Sequence, residues 1–301
     1  MNKFQPASIV FLLAVTAGGA LAQAPAQPSL AGKPPEDTPS IGGKPYTGPV
    51  VATPLGLDGK PDFTGFWKGL RDKTKPGGNL GKDEPNFILP FSEQGKRALL
   101  HSLNHTVDPE AQCILGGIPR HNGSGLPFEV LHTPQRLSFN YLYNTHRLIT
   151  IDSSRKLPAQ LRSSYFGTSV SRWEGDTLVI ETAGLRDSTD ERIWLDENAN
   201  PTSSATTVVE RWTRPDFHHL RLEMTVTDLR YYSRPFTFKR TWVYGAPGEG
   251  AVEYACNEAN ISSAEIGPGP GPIGPDGNRG FAYEVTLPAE PPGPEAYETR
   301  P

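Results

Sequence analysis

Between Arg120 and Asp152 the chain gathers most of the side chains that could do chemistry: Arg120-His121, Glu129, His132, His146-Arg147 and Asp152, with Tyr141 and Tyr143 among them. A carboxylate or an imidazole can take up a proton. A guanidinium can clamp an anion or a polarised carbonyl, and a phenol can donate a hydrogen bond. The expected roles follow. Glu129 or His132 would be a general base, Arg147 the clamp and Asp152 a further acid group. Arg120, His121, Tyr141 and Tyr143 would line a ligand site. The competing expectation is a satisfied polar network that closes one end of the domain, because ionisable groups also gather in structural networks. Strand geometry limits the first reading. Glu129 and His132 lie at opposite parity and share a face only if Pro127 or Thr133-Pro134 imposes a bulge. Glu129 shares parity with Leu131 and is expected to point inward, where Arg147 could pair with it.

Other polar motifs read as architecture. Trp173-Glu174-Gly175-Asp176-Thr177 is a hairpin turn, in which Gly175 permits positive φ and the acids are solvated. Glu210 and Arg211 point to opposite faces of a strand, so the inward one is expected to form a buried ion pair. His218 and His219 are adjacent and cannot easily ligate one metal from a strand. The sequence has no His-Glu-x-x-His, no nucleophile elbow, no phosphate-binding loop and no dinucleotide fingerprint. The expectation is no metal and no cofactor.

The elements that must position these groups are mostly strands. Pro61–Trp67 reads as a short strand. Phe91–Leu103 reads as the one short helix, with Ser92 as its cap and Ala98, Leu99 and Leu103 at helical spacing. From Pro127 onward the period is two. Leu137, Phe139, Tyr141 and Tyr143 alternate with Ser138, Asn140 and Leu142. Val208, Glu210 and Trp212 share one strand face, as do Leu220, Leu222, Met224 and Val226, then Phe236, Phe238, Arg240 and Trp242. Segments at 147–152, 167–173, 177–181 and 252–256 complete about eight to ten strands joined by short turns. The expected fold is an all-β, antiparallel up-and-down barrel, since closure removes exposed edges. A barrel of that size is either filled by side chains or holds one small molecule. The many aromatic residues on these strands would suit an apolar or aromatic ligand.

The ends differ from the body. Gly and Pro number 31 each in 301 residues, which excludes a long helical bundle. The formal charge is −4, without the basic surplus of a nucleic-acid binder. Lys3, the apolar run Ala7–Ala17 and Ala20-Leu21-Ala22 form a signal-peptide pattern, so residues 1–22 are expected to be removed on export. No membrane span is expected after that cleavage, and the expected location is periplasmic or secreted. Residues 23–60 and 263–301 are Pro- and Gly-rich and read as an extended leader and a tail around a domain at 61–262. Cys113 and Cys256 are the only cysteines, and in an exported chain they are expected to form one disulfide.

The segment Ser171-Arg-Trp-Glu-Gly-Asp-Thr-Leu-Val-Ile-Glu-Thr182 resembles a signature of a large group of exported, lipocalin-like bacterial proteins. Pro61–Trp67, the stretch from Cys113 to Arg120, Pro127-Phe-Glu129, Thr133-Pro134, Glu210-Arg211 and Glu253–Glu258 resemble the same group. The chain departs from it at 151–158, where Lys156-Leu-Pro158 stands in place of a His-Pro pair. The resemblance implies an exported lipocalin-like barrel and assigns no reaction. Two functional expectations result. One is a carrier that holds an apolar or aromatic small molecule in the barrel. The other is a cofactor-independent lyase, isomerase or hydrolase acting on a small aromatic or terpenoid-like substrate there.

Overall fold

In the computed structural model the described residues are 42–70, 80, 87–142, 145–188, 193–251 and 253–256. Tyr143, the expected signal peptide and the C-terminal tail lie outside them. Among the described residues nine strands form one antiparallel sheet: β1 (Gly65–Gly69), β2 (Phe128–Thr133), β3 (Arg136–Tyr141), β4 (Thr145–Thr150), β5 (Thr168–Glu174), β6 (Thr177–Ala183), β7 (Thr207–Asp216), β8 (His219–Thr227) and β9 (Phe236–Tyr244). Strands consecutive in sequence pair, except β4 and β5, and β1 pairs with β9 through Trp67 opposite Tyr244 and Gly69 opposite Trp242. The order is that of an up-and-down, lipocalin-like barrel.

The odd strand number sets the geometry of closure. Nine alternating strands leave the first and last of the row, β4 and β5, running in the same direction, so their seam must be parallel. It is a single parallel bridge, Ile151 to Ser171. Side chains complete it. Ser171 Oγ donates to Thr150 O at 3.0 Å, and Arg147 Nη2 donates to Ser169 Oγ at 3.0 Å and Thr182 Oγ1 at 2.7 Å.

The bore is filled. The period of two on β7, β8 and β9 turns Val208, Trp212, Leu220, Leu222, Met224, Val226, Phe238 and Trp242 inward, where all are buried. Rings from four strands meet there. The Trp212 centroid lies 5.1 Å from Phe139, 5.4 Å from Trp242 and 6.0 Å from Phe128. Three indole nitrogens find acceptors: Trp67 on Phe63 O, Trp242 on Leu126 O and Trp212 on Glu210 Oε1. Fully burying one such aromatic contributes about 1.5–3 kcal/mol.

Outside the barrel, α1 (Glu93–His105) starts at Ser92, whose Oγ accepts from Gly95 N at 3.0 Å. Residues 108–126 form a plug that carries a second, four-residue helix, α2 (Arg120–Gly123). The plug rests on the barrel backbone. A Cβ at Gly69 would stand 1.9 Å from Gly125 O, so only glycine fits at that strand position. Arg240 Nε, inside the bore, donates to Gly123 O at 2.6 Å. The Cys113–Cys256 disulfide, Cα atoms 5.7 Å apart, ties the start of the plug to the chain beyond β9.

Two expectations need correction. Residues 253–255 are not a strand. β9 pairs with β1 instead, and the closed row leaves no edge for them. Glu129 points outward, not inward. Phe128 and Val130 are the buried set of β2, while Leu131, at the parity of Glu129, is 53% exposed.

Residues 42–60, expected as leader, do run extended, but they are tied to the barrel flank. Gly43 N donates to Gly69 O at 2.8 Å, Phe217 N to Val51 O at 2.9 Å, and Thr53 Oγ1 to Arg214 O at 2.8 Å. Gly43 is the tight anchor, because a Cβ there would meet Lys68 O at 2.5 Å.

Candidate functional site

The structure gathers four of the sequence-predicted site residues beneath the plug. β3 turns Tyr141 inward and β4 turns Arg147 inward; α2 presents Arg120, His121 and Asn122. Arg147 Nη2 lies 2.7 Å from Glu210 Oε2, so the inward residue of Glu210-Arg211 makes the expected buried ion pair, with Arg147 as its partner. Asn122 Nδ2 donates to Glu210 Oε1 at 2.6 Å, and Tyr141 OH donates to Asn122 Oδ1 at 2.9 Å. Burial opposes the charge of Arg147, but the Glu210 carboxylate outweighs it and keeps the guanidinium charged. Burial pushes the Tyr141 phenol far above its usual range, so it stays a neutral donor.

A second tier lies above. Arg120 holds both oxygens of Asp108 at 2.8 Å and reaches Glu110 Oε2 at 2.8 Å. His121 Nδ1 is 3.1 Å from Gly117 O and 3.6 Å from Glu110 Oε1. Burial lowers the His121 pKa to about 3, so the ring is neutral. Burial raises Glu110 to about 7 despite the nearby Arg120, whose charge is shared with Asp108. Asp196, also buried, is raised to about 6.

These shifts carry a sign. The Glu110 carboxyl ordinarily titrates near 4.5. Between that pH and about 7 the folded chain keeps a proton that the unfolded chain releases. The stabilisation from this group is therefore full below about 4.5 and is lost as the pH rises to 7. His121 runs the other way, because its unfolded form gains a proton below 6.5 that the folded form refuses. Glu110→Gln isolates the first effect. In urea unfolding at several pH values, the stability of the variant relative to wild type should climb from pH 4.5 to 7.5. A flat difference across that range would contradict the burial of a protonated Glu110.

The plug network has little room for a ligand. The cavities that border Glu110 and His121 measure about 40 Å³, beside the disulfide, and about 10 Å³, beside Tyr141. That is space on the scale of one to a few waters. Asn122 begins an Asn-Gly-Ser glycosylation triplet, but it is 0% exposed and its amide is engaged on both sides.

The remaining predicted residues are elsewhere. Glu129 lies on the outer face of β2, opposite Asn140. His132 sits at the end of β2, where its Nδ1 accepts from Phe63 N at 3.2 Å and its ring lies 5.6 Å from Phe63. Asp152 caps a turn after β4, accepting from Ser154 N at 2.9 Å and Ser154 Oγ at 2.6 Å. General base, clamp and further acid therefore do not meet. Asp108, Glu110 and Asn122, which complete the network, had no signal in local spacing.

The larger open space lies on the barrel flank. Residues 42–48, anchored at Gly43 and followed by the anchor at Val51, border a cleft of about 470 Å³ with Lys68, His218, Val243, Tyr244, Ala246 and Glu249. Its wall is aromatic. The Tyr46 ring stacks on His218 at 3.6 Å and 17°, and Tyr46 OH donates to Pro49 O at 3.3 Å. Tyr244 packs on Phe217 at 5.0 Å and on Trp67 at 5.2 Å.

Arg214 braces this wall from below. Its guanidinium lies 4.8 Å from the Trp67 ring centre and 5.3 Å from that of Phe217, and it donates to Phe217 O at 2.7 Å and to Asp62 O. Burial lowers its pKa to about 10, which leaves it charged at neutral pH. Asp216 fixes the turn that presents His218, accepting from His218 N at 2.8 Å and contacting His219 Nδ1 at 2.8 Å. Lys68 pairs with Glu249 at 2.7 Å, and Glu249 also accepts from Ala246 N at 2.8 Å. Sequence reasoning missed this site. Its one available signal was Tyr46, the sole aromatic residue of 23–60.

A second outer cavity, about 380 Å³, lies at the seam beside Arg155, Lys156 and Arg172. Among the described residues no group of three or more His, Cys, Asp or Glu side chains is placed to hold a metal ion, and no helix is long and apolar enough to cross a membrane. No protein-family model, curated protein or solved structure matches this chain.

Proposed function

We propose that the protein is an exported carrier of a small, mainly apolar or aromatic molecule, held in the flank cleft and not in the bore. The observation that carries this is the contrast between the two spaces. The bore is occupied by the protein's own rings, while a cleft of about 470 Å³ stands open beside Tyr46, His218 and Tyr244. That volume falls within the range of small-molecule sites, and an apolar wall with a few polar groups suits the same class. The signal-peptide pattern, the resemblance to exported lipocalin-like proteins and the disulfide, a bond typical of extracytoplasmic proteins, support export. The enzymatic alternative needs a carboxylate and an imidazole within reach of one another at a cavity that admits a substrate. Glu129, His132 and Asp152 lie on separate faces and turns, and the buried pair that does meet, His121 and Glu110 at 3.6 Å, borders only cavities of about 10 and 40 Å³, so binding is the better-supported reading.

The test is a fluorescence titration with N-phenyl-1-naphthylamine, a neutral aromatic probe. Wild type should bind it, and Tyr46→Ala should weaken binding about tenfold, the effect of losing one stacking wall and its buried area. Binding unchanged by Tyr46→Ala would place the ligand elsewhere.

A further inference from the structure

We infer that the ligand of the flank cleft carries an anionic group, a carboxylate or sulfonate on its aromatic body, and that Lys44 receives it. This rests on the carrier reading above.

The charges lining the cleft are not balanced. Lys68 and Glu249 neutralise one another at 2.7 Å. The carboxylate is further committed to Ala246 N, and the Lys68 hydrogen bond holds it below the usual carboxylate range. Neither is available to a ligand without breaking an ion pair. Lys44 is the remaining cation of the lining, and among the described residues it has no hydrogen bond or ion pair. The cleft therefore carries one positive charge in excess, in a chain whose formal charge is −4.

Position adds to charge. Lys44 is next to Gly43, whose backbone is pinned to Gly69 O, and two residues before Tyr46, whose ring is stacked on His218. An aromatic body lying against Tyr46 and Tyr244 would meet Lys44 in the same lining. A neutral ligand would use the rings and leave the charge idle.

The experiment compares two probes of similar ring size on the full exported chain: neutral N-phenyl-1-naphthylamine and anionic 1-anilinonaphthalene-8-sulfonate. Tyr46→Ala should weaken both. Lys44→Gln should weaken the sulfonate about fivefold and leave the neutral probe unchanged, as the loss of one partly exposed charge pair would. Raising the salt concentration should weaken only the sulfonate. Lys156→Gln, at the seam cavity, should change neither. If both probes depend on Tyr46 but Lys44→Gln moves neither, the anionic ligand is refuted and the carrier reading stands. If the sulfonate responds to Lys156→Gln and not to Lys44→Gln, the anion belongs to the seam and the inference fails. If neither probe binds, the carrier reading itself fails.

Discussion

Replacing Glu210 with alanine should destabilise the fold by about 3–5 kcal/mol, because it leaves the Arg147 guanidinium charged and buried without its carboxylate. The two groups are 2.7 Å apart, and Glu210 is 0% exposed. The loss reaches further than one pair. Asn122 and Trp212 also donate to Glu210, so α2 would lose one of its bonds to the bore and Arg147 at the seam would lose its counter-charge. Arg147→Met should cost a similar amount, by stranding the carboxylate. The double variant, Arg147→Met with Glu210→Leu, should recover most of the loss, since no buried charge remains. Urea unfolding of the three variants decides it. Single variants within about 1 kcal/mol of wild type would mean that water already solvates the pair, and that the plugged end is open.

Breaking the Cys113–Cys256 bond should cost about 4–5 kcal/mol in the chain-entropy view, because the residues it joins are 143 apart in sequence. The structural consequence is specific. Cys113 follows the short 3₁₀ turn Pro109–Gln112, and Asp108 and Glu110 at its start hold Arg120 of the plug. With the tether cut, residues 114–125 should exchange their amide hydrogens faster, while β7 and β8 hold until global unfolding. Denaturant midpoints with and without reductant, or for Cys256→Ser, measure the first effect, and hydrogen exchange the second. Two titratable thiols in the unreduced, denatured protein would refute the bond. Equal exchange in the plug and in the central strands would refute the role of tether.

What the sequence told, and what it hid, divides along physical lines. The alternation of Leu220, Leu222, Met224 and Val226 was legible because one strand face is wholly apolar and the other wholly polar. Ser92 was legible as a cap because its side chain bonds locally, three residues on. Glu129 was misplaced for the opposite reason. β2 carries apolar residues at both parities, Phe128 and Val130 on one side and Leu131 on the other, so pattern alone could not choose the inner face. Residues 193–206 are rich in Asp, Asn, Ser and Thr, yet most are buried. Several of their polar groups bond to Asp228 instead of water: Asp228 accepts from Ser203 N, Ser203 Oγ and Thr206 Oγ1. The plug network was half legible. Arg120, His121, Tyr141 and Arg147 stand within the wider set between Arg120 and Asp152 that residue type picks out, but the bond from Asn122 to Glu210 spans 88 residues and follows only from the closed barrel. The cleft was hidden because half of it is a Pro- and Gly-rich segment that has no strand or helix period to read.

The location of the ligand is tested most directly by hydrogen–deuterium exchange of the full exported chain with and without saturating N-phenyl-1-naphthylamine. Slowing should be confined to amides of residues 43–50 and 243–249, the two sides of the flank cleft. Slowing in β2, β3 and β7, with the cleft segments unchanged, would put the ligand in the bore and contradict the proposal.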